Sequence, residues 1–178
     1  MNLYLRLLKL LLLLPFVAPR GVFDESRTTF RVWPNDCDLN LHMNNGRYLA
    51  FMDLGRVHLL RQVRLLGRLV RTRWAPVMAA AEINFLRPLR PFQKFELVTR
   101  VLTWDAKYLY LEHRIESGDE LYALATVRGL FLRHGRAVGP DEAARVLGVD
   151  ASPPPMPALV RHWKELTTIK KEQTARHA

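Results

Sequence analysis

The sequence has a single cysteine, Cys37, in 178 residues. No intramolecular disulfide can form, and a cysteine-rich zinc site is excluded. Acids are scarce as well, 17 against 27 lysines and arginines, for a net charge of +10. Residues 1–23 contain Arg6, Lys9 and Arg20 but no acid. The apolar stretch Leu10–Ala18 falls far short of the ~20 residues that span a bilayer as a helix. No P-loop, G-x-G-x-x-G or H-E-x-x-H pattern occurs, and no internal repeat. What remains is ordinary in proportion, 49% hydrophobic and 25% charged. That composition excludes wholesale disorder, collagen and a multi-span membrane protein. The length suits one domain with appendages, able to bury a core unaided.

The excess of positive charge speaks to partners, not to fold. It suits nucleic acid, an anionic membrane surface or a substrate carrying phosphates. Arg61, Arg64, Arg68 and Arg71 line one helical face, yet no nucleic-acid motif accompanies them, and no nucleic acid is expected. Three readings stay open for the leucine-rich start. It is a helix packed on its own domain or a partner subunit, a peripheral membrane contact through residues 1–20, or a cleaved signal. Against the last, the A-x-A cleavage pattern is missing and Pro19 follows Ala18.

Along the chain, Thr28–Trp33 reads as a strand ending at Pro34. Asn35–Asn40 reads as a loop, and Asn44 and Asn45 as helix caps. Tyr48, Leu49, Met52, Leu59, Val63 and Leu66 recur at helical spacing, which predicts a helix of about 25 residues that Gly67 weakens or ends. Strands follow over Val77–Leu86, Lys94–Trp104, Lys107–Glu116 and Leu121–Arg133, joined by short turns as an antiparallel meander. In the third of these, Leu109, Leu111 and Ile115 oppose Tyr108, Tyr110, Glu112 and Arg114 at period two. Pro140–Leu147 forms a short helix, Ser152–Pro157 a stiff linker, and 158–171 a last exposed helix before a loose tail. One long helix beside an antiparallel sheet is an α+β design. The expected organisation is an apolar basic segment 1–23, a domain 24–138 and a C-terminal extension 139–178.

The densest polar cluster, Asn35, Asp36, Asp38, Asn40, His42, Asn44 and Asn45, falls at the strand-to-helix junction. Unpaired N–H groups at a helix start stabilise an oxygen that gains negative charge. A carboxylate beside them acts as base or nucleophile.

The run Asp36-Cys37-Asp38-Leu39-Asn40-Leu41-His42-Met43-Asn44-Asn45-Gly46-Arg47-Tyr48 resembles the D-x-D-x-x-G-H-x-N-N-x-x-Y signature of hotdog-fold acyl-CoA thioesterases. Those are the 4-hydroxybenzoyl-CoA thioesterase-like group, and the likeness is closer still to the thioesterase-superfamily-member-6 type. Ile83-Asn84-Phe85-Leu86-Arg87-Pro88 and Phe95–Val101 look like the family's strands, and the resemblance covers residues 27–138. It implies the hotdog fold, with the long helix wrapped by a curved sheet. It also implies hydrolysis of a thioester to a carboxylic acid and free CoA, a place in lipid metabolism, and a homodimer or homotetramer. No cofactor or metal is expected beyond the coenzyme A of the substrate, which an acyl carrier protein thioester replaces in the alternative. A cytoplasmic location, peripheral to a membrane if the leucines anchor it, goes with this.

By the resemblance, Asp38 is the catalytic carboxylate, and Asn45 and Gly46 supply oxyanion contacts through their backbone. His42, Asn44 and Tyr48 are substrate-contact candidates of the same motif. Leu41 stands where most relatives have glycine, although the closer type also has leucine; it restricts the backbone and crowds the acyl site. Asp53 lies three residues before Arg56, so the two pair, with a substrate-positioning acid as the sharper role. Glu82 is expected in a structural pair. Arg87, Arg90 and Lys94 are the expected contacts to coenzyme A phosphates. A different reading of the same features is a non-catalytic acyl-CoA or lipid-binding protein at a membrane surface.

Overall fold

The computed structural model describes residues 3–175. Residues 1–2 and 176–178 lie outside the described residues; of the tail expected to be loose after residue 171, residues 172–175 instead continue the last helix. Strands β1 (Ser26–Arg31), β2 (Trp74–Phe85), β3 (Lys94–Trp104), β4 (Leu109–Ser117), β5 (Glu120–Arg133) and β6 (Arg136–Val138) form one antiparallel sheet, ordered β1-β3-β4-β5-β2 with β6 on β5. The turns that join β3, β4 and β5 are short, so neighbours in sequence pair directly.

Helix α2 (Asn45–Gln62) lies across the concave face. Tyr48, Phe51, Met52, Gly55, Leu59 and Gln62 are buried along one stripe, the spacing of a single helical face. Phe51 packs edge-on to Phe95 at 5.0 Å and against Phe30 at 5.1 Å. A Cβ on Gly55 would come within 2.6 Å of Leu97 and 2.7 Å of the Thr99 hydroxyl. Only glycine lets helix and sheet approach so closely here.

The helix is shorter than the periodicity predicts. It ends at Gln62, and α3 (Leu66–Thr72) is a separate helix of about two turns. Gly67 is not the cause. Arg64 takes the left-handed conformation at φ 59°. The bonds Arg64 N–H to Arg61 O and Leu65 N–H to Leu60 O close the helix as a Schellman motif.

Two segments cover the rest of the sheet. Helix α1 (Leu3–Leu13) and a 3₁₀ turn at Leu14–Phe16 bury Arg6, Leu10 and Leu14 against the domain. Of the three readings of this start, the packed helix describes its inward face. After α4 (Pro140–Leu147), helix α5 (Ala158–Ala175) crosses the convex face. It was expected to be exposed, but Val160 and Trp163 are buried against Tyr110. Arg128 stacks on Tyr108 at 4.7 Å and bonds the Thr167 hydroxyl at 2.9 Å. Lys164 pairs with Asp105 at 2.6 Å. Burial raises the Asp105 carboxyl, but Lys164, two backbone N–H groups and the Tyr110 hydroxyl outweigh it and hold it at about 2. The period-two alternation of β4 is real, yet its tyrosine face is covered by α5 and not by water.

Strand β2 is an edge with one strand neighbour, and most of its residues are exposed. Glu82 is among them, and the structural pair expected for it does not form among the described residues; an exposed acid on an edge strand needs none.

Candidate active site

The acidic loop is built in two halves. Pro34–Asp36 is a 3₁₀ turn, and Asp36 is its anchor. The Asp36 side chain has no exposed area, and the Arg6 guanidinium binds both its oxygens, one at 2.8 Å. Trp33 N–H donates to it at 2.8 Å, and Arg47 stands 3.5 Å away. Burial alone raises this carboxyl; the bonds from Arg6 and Trp33, with the charges of Arg6 and Arg47, bring it below its ordinary value. Arg6 also lies 4.5 Å over the Phe51 ring, so α1, loop and α2 are pinned at one point.

The second half is a tight turn. Asp38 N–H donates to His42 O, Leu41 N–H to Asp38 O, and Asn40 N–H to the Asp38 carboxylate at 2.9 Å. Leu41 closes the turn at φ 57° with 70% of its surface exposed. The glycine of most relatives would fit this left-handed position without strain. The leucine side chain points to solvent here, so in the single chain it does not crowd a pocket. Asp38 is half-buried and has no ion pair among the described residues. Cys37, between the two acids, is pushed up by burial and by their charges, so its thiol stays protonated.

The turn leads straight into α2. Asn44 N–H donates to Asp36 O, and Met43 N–H to Leu89 O. Asn44 is the cap: its side chain accepts from Gly46 N–H at 2.9 Å, and its carbonyl from Arg47 N–H. That bond occupies one of the two expected oxyanion donors. The other, Asn45 N–H, has no acceptor among the described residues. His42 is half-buried in the same turn. Tyr48, expected near substrate, is 2% exposed and packs edge-on to Phe85 at 4.9 Å. Burial pushes its hydroxyl up, and a Leu89 backbone hydrogen bond offsets part of that.

Asp53 and Arg56 pair as the spacing predicts. They sit at the mouth of an apolar cavity of about 200 Å³ between α2 and strands β2, β4 and β5. Behind them is a device that local spacing does not reveal. Arg56 donates to His113 Nε2 at 3.2 Å, which leaves the hydrogen on Nδ1 for the Thr99 hydroxyl at 2.9 Å. Burial and the Arg56 charge hold His113 at about 3, so it is a neutral acceptor that fixes the arginine. Arg87 is paired with Glu120 at 3.2 Å. The Arg90 backbone N–H bonds Gln93, and Lys94 borders a charged groove on the sheet. The structure thus gathers Asp38, His42, Asn44, Asn45 and Gly46 into one loop. It sets Asp53 farther along the helix, puts Arg87 and Arg90 in the β2–β3 connection, whose Leu89 carbonyl accepts from Met43 N–H of the loop, and opens β3 with Lys94.

Residues 32–164 match the family described as the Thioesterase-like superfamily. A probable thioesterase of Saccharomyces cerevisiae, YBR096W, is 27% identical over 133 residues, covering 72% of this chain and 57% of its own. Protein THEM6 of Xenopus laevis is 29% identical over 143 residues, covering 80% and 68%. The chain therefore spans little more than half the length of the yeast relative. Among solved structures, the YbaW probable thioesterase of Escherichia coli superposes with a TM-score of 0.64 at 20% identity, covering 70% of this chain and 96% of that one. That likeness speaks for the fold: a hotdog.

Proposed function

The chain belongs to the thioesterase-like superfamily, and on that premise we propose that it hydrolyses acyl-CoA thioesters to a carboxylic acid and free coenzyme A. The observation that carries this reading is Asp38: a half-buried carboxylate without an ion pair among the described residues, in the turn that leads to an N–H at a helix start that is likewise open among them. As a base, Asp38 takes a proton from water, and the hydroxide attacks the thioester carbon. The Asn45 N–H holds the developing oxyanion, the C–S bond breaks, and the thiolate leaves with the proton. As a nucleophile, Asp38 forms a mixed anhydride that water then opens; hydroxylamine trapping of the anhydride separates the two routes. The apolar cavity behind Asp53 and Arg56 suits the acyl group, carried on coenzyme A or on an acyl carrier protein.

The exposed edge strand β2 favours a homo-oligomer, because a long apolar edge is stable in water only when paired or covered. Antiparallel β2–β2 pairing of two copies gives a dimer; a tetramer is the alternative. A membrane contact is favoured by α1. Its outward face carries Tyr4, Leu5, Leu8, Leu12 and, just beyond it, Phe16, all exposed, on a segment without acids. Among the described residues no helix is long and apolar enough to cross a membrane. Leu5→Gln with Leu8→Gln and Leu12→Gln leaves Arg6, Leu10 and Leu14 in place. Undiminished binding of that variant to liposomes would remove the membrane contact.

The test of the activity is thiol release from short, medium, long and aromatic acyl-CoAs, wild type beside Asp38→Asn. Turnover that vanishes in the variant supports the reading. No turnover of any thioester by the wild type would end it and move the choice to acyl-CoA binding without hydrolysis.

A further inference from the structure

The end of the sheet farthest from Asp38 carries a row of arginines that the activity above does not use. Strands β5 and β6 are joined by His134-Gly135, both left-handed at φ 49° and 79°, the geometry of a tight two-residue hairpin. The register sets Arg133 opposite Arg136. Directly opposed residues share a face, with Cβ atoms about 5 Å apart, and like charges so placed are destabilising. Neither arginine has a carboxylate partner among the described residues. On its other side Arg133 is in register with Trp74 and lies 5.9 Å from that ring. Arg73 precedes Trp74, again left-handed at φ 54°, and Arg71 is in the last turn of α3. All four arginines are exposed. The helix dipole accounts for Arg71 and Arg73. It does not account for Arg133 facing Arg136.

We propose that Arg133 and Arg136, flanked by Arg71 and Arg73, form a phosphate-binding subsite for the nucleotide end of a coenzyme A thioester. This rests on the thioesterase reading and on β2 pairing. Three placements support it. Two residues along the same strands, Pro76 and Phe131 line the apolar cavity, a step of about 7 Å. Of the three expected anion contacts, Arg87, Arg90 and Lys94, the first is engaged by Glu120 at 3.2 Å. Helix α2, 18 residues long, separates this end from Asp38 by about 27 Å within one chain. Antiparallel pairing of β2 with a second copy sets the Trp74 end of one strand beside the Phe85 end of the other. Phe85 packs on Tyr48, in the first turn of α2. The row of one copy then serves the acidic loop of the other.

The experiment uses the full chain and adenosine 3′,5′-bisphosphate, followed by calorimetry in wild type, Arg136→Glu, and Arg133→Gln with Arg136→Glu. The bisphosphate is expected to bind the wild type and to lose roughly tenfold or more in affinity in the double variant. In parallel, the KM advantage of an acyl-CoA over the same acyl-pantetheine should collapse toward one. A melting temperature unchanged or raised by relief of the like charges separates lost binding from unfolding. Turnover of acyl-CoA with the KM advantage intact in the double variant would overturn the subsite while leaving the activity standing. Bisphosphate binding lost in the variant, with no turnover by the wild type, would keep the subsite and remove the activity. Loss of binding to phosphatidylserine vesicles without any change toward the bisphosphate would assign the row to a lipid surface and overturn the proposal.

Discussion

Asp36 and Asp38 stand two residues apart in one loop and live in opposite surroundings. Asp36 is sealed from solvent and gripped by Arg6, Arg47 and a backbone N–H. Asp38 is partly open and, among the described residues, bonded only within its own turn. The difference teaches how one loop can bury one acid and leave its neighbour open. One carboxylate is committed to locking the loop onto α1 and α2. The other is thereby displayed in a fixed place beside a helix start, with no ion-pair partner among the described residues. A site that must be preorganised needs both.

The contrast can be broken most severely through Arg6. Arg6→Ala leaves Asp36 buried and uncompensated and should cost about 3–5 kcal/mol in urea denaturation. A loss no larger than that of an exposed arginine would mean that the buried half does not hold the loop. Asp38→Asn should do the reverse: turnover falls by about 10²–10⁴-fold, while the unfolding midpoint barely moves.

Acid titration sharpens the contrast further. The folded Asp36 carboxyl lies below its ordinary 3.8, so the unfolded chain binds more protons. Its stabilisation is present above that value and is lost as pH falls through the folded one; Arg6→Ala should remove that loss. His113 acts in a higher window. Its folded value of about 3, against an ordinary 6.5, means that stability declines as pH drops from 6.5 toward 3. A His113→Gln variant should flatten that slope, and an unchanged slope would clear His113 of the effect. The smallest effect expected is at Leu41. Leu41→Gly relieves a left-handed leucine and should stabilise by ~1 kcal/mol. A destabilised variant would show that the turn is not strained.

Much of the sheet was legible because strand runs, turn residues and period two are local signals. The acidic loop was legible through its motif, and Asn44 through its capping chemistry. The failures share a cause. Arg64 ends α2 in a conformation that usually calls for glycine, so sequence pointed to Gly67. Helix α5 shows too few apolar residues to announce burial, and its partners Tyr110 and Arg128 lie in distant strands. The Arg6–Asp36 pair joins residues 30 apart, and the Arg56–His113–Thr99 chain joins a helix to two strands. Between Asn45 and Gly46, only the bond made by the Asn44 side chain tells which N–H is left open.

The central claim is that two neighbouring acids divide structure from chemistry. The direct measurement is kcat on the best acyl-CoA together with the unfolding midpoint, for Asp36→Asn and Asp38→Asn side by side. The account predicts that Asp38→Asn abolishes turnover at near-native stability, and that Asp36→Asn unfolds early and, while folded, loses turnover only in part. A folded Asp38→Asn with wild-type turnover would contradict it.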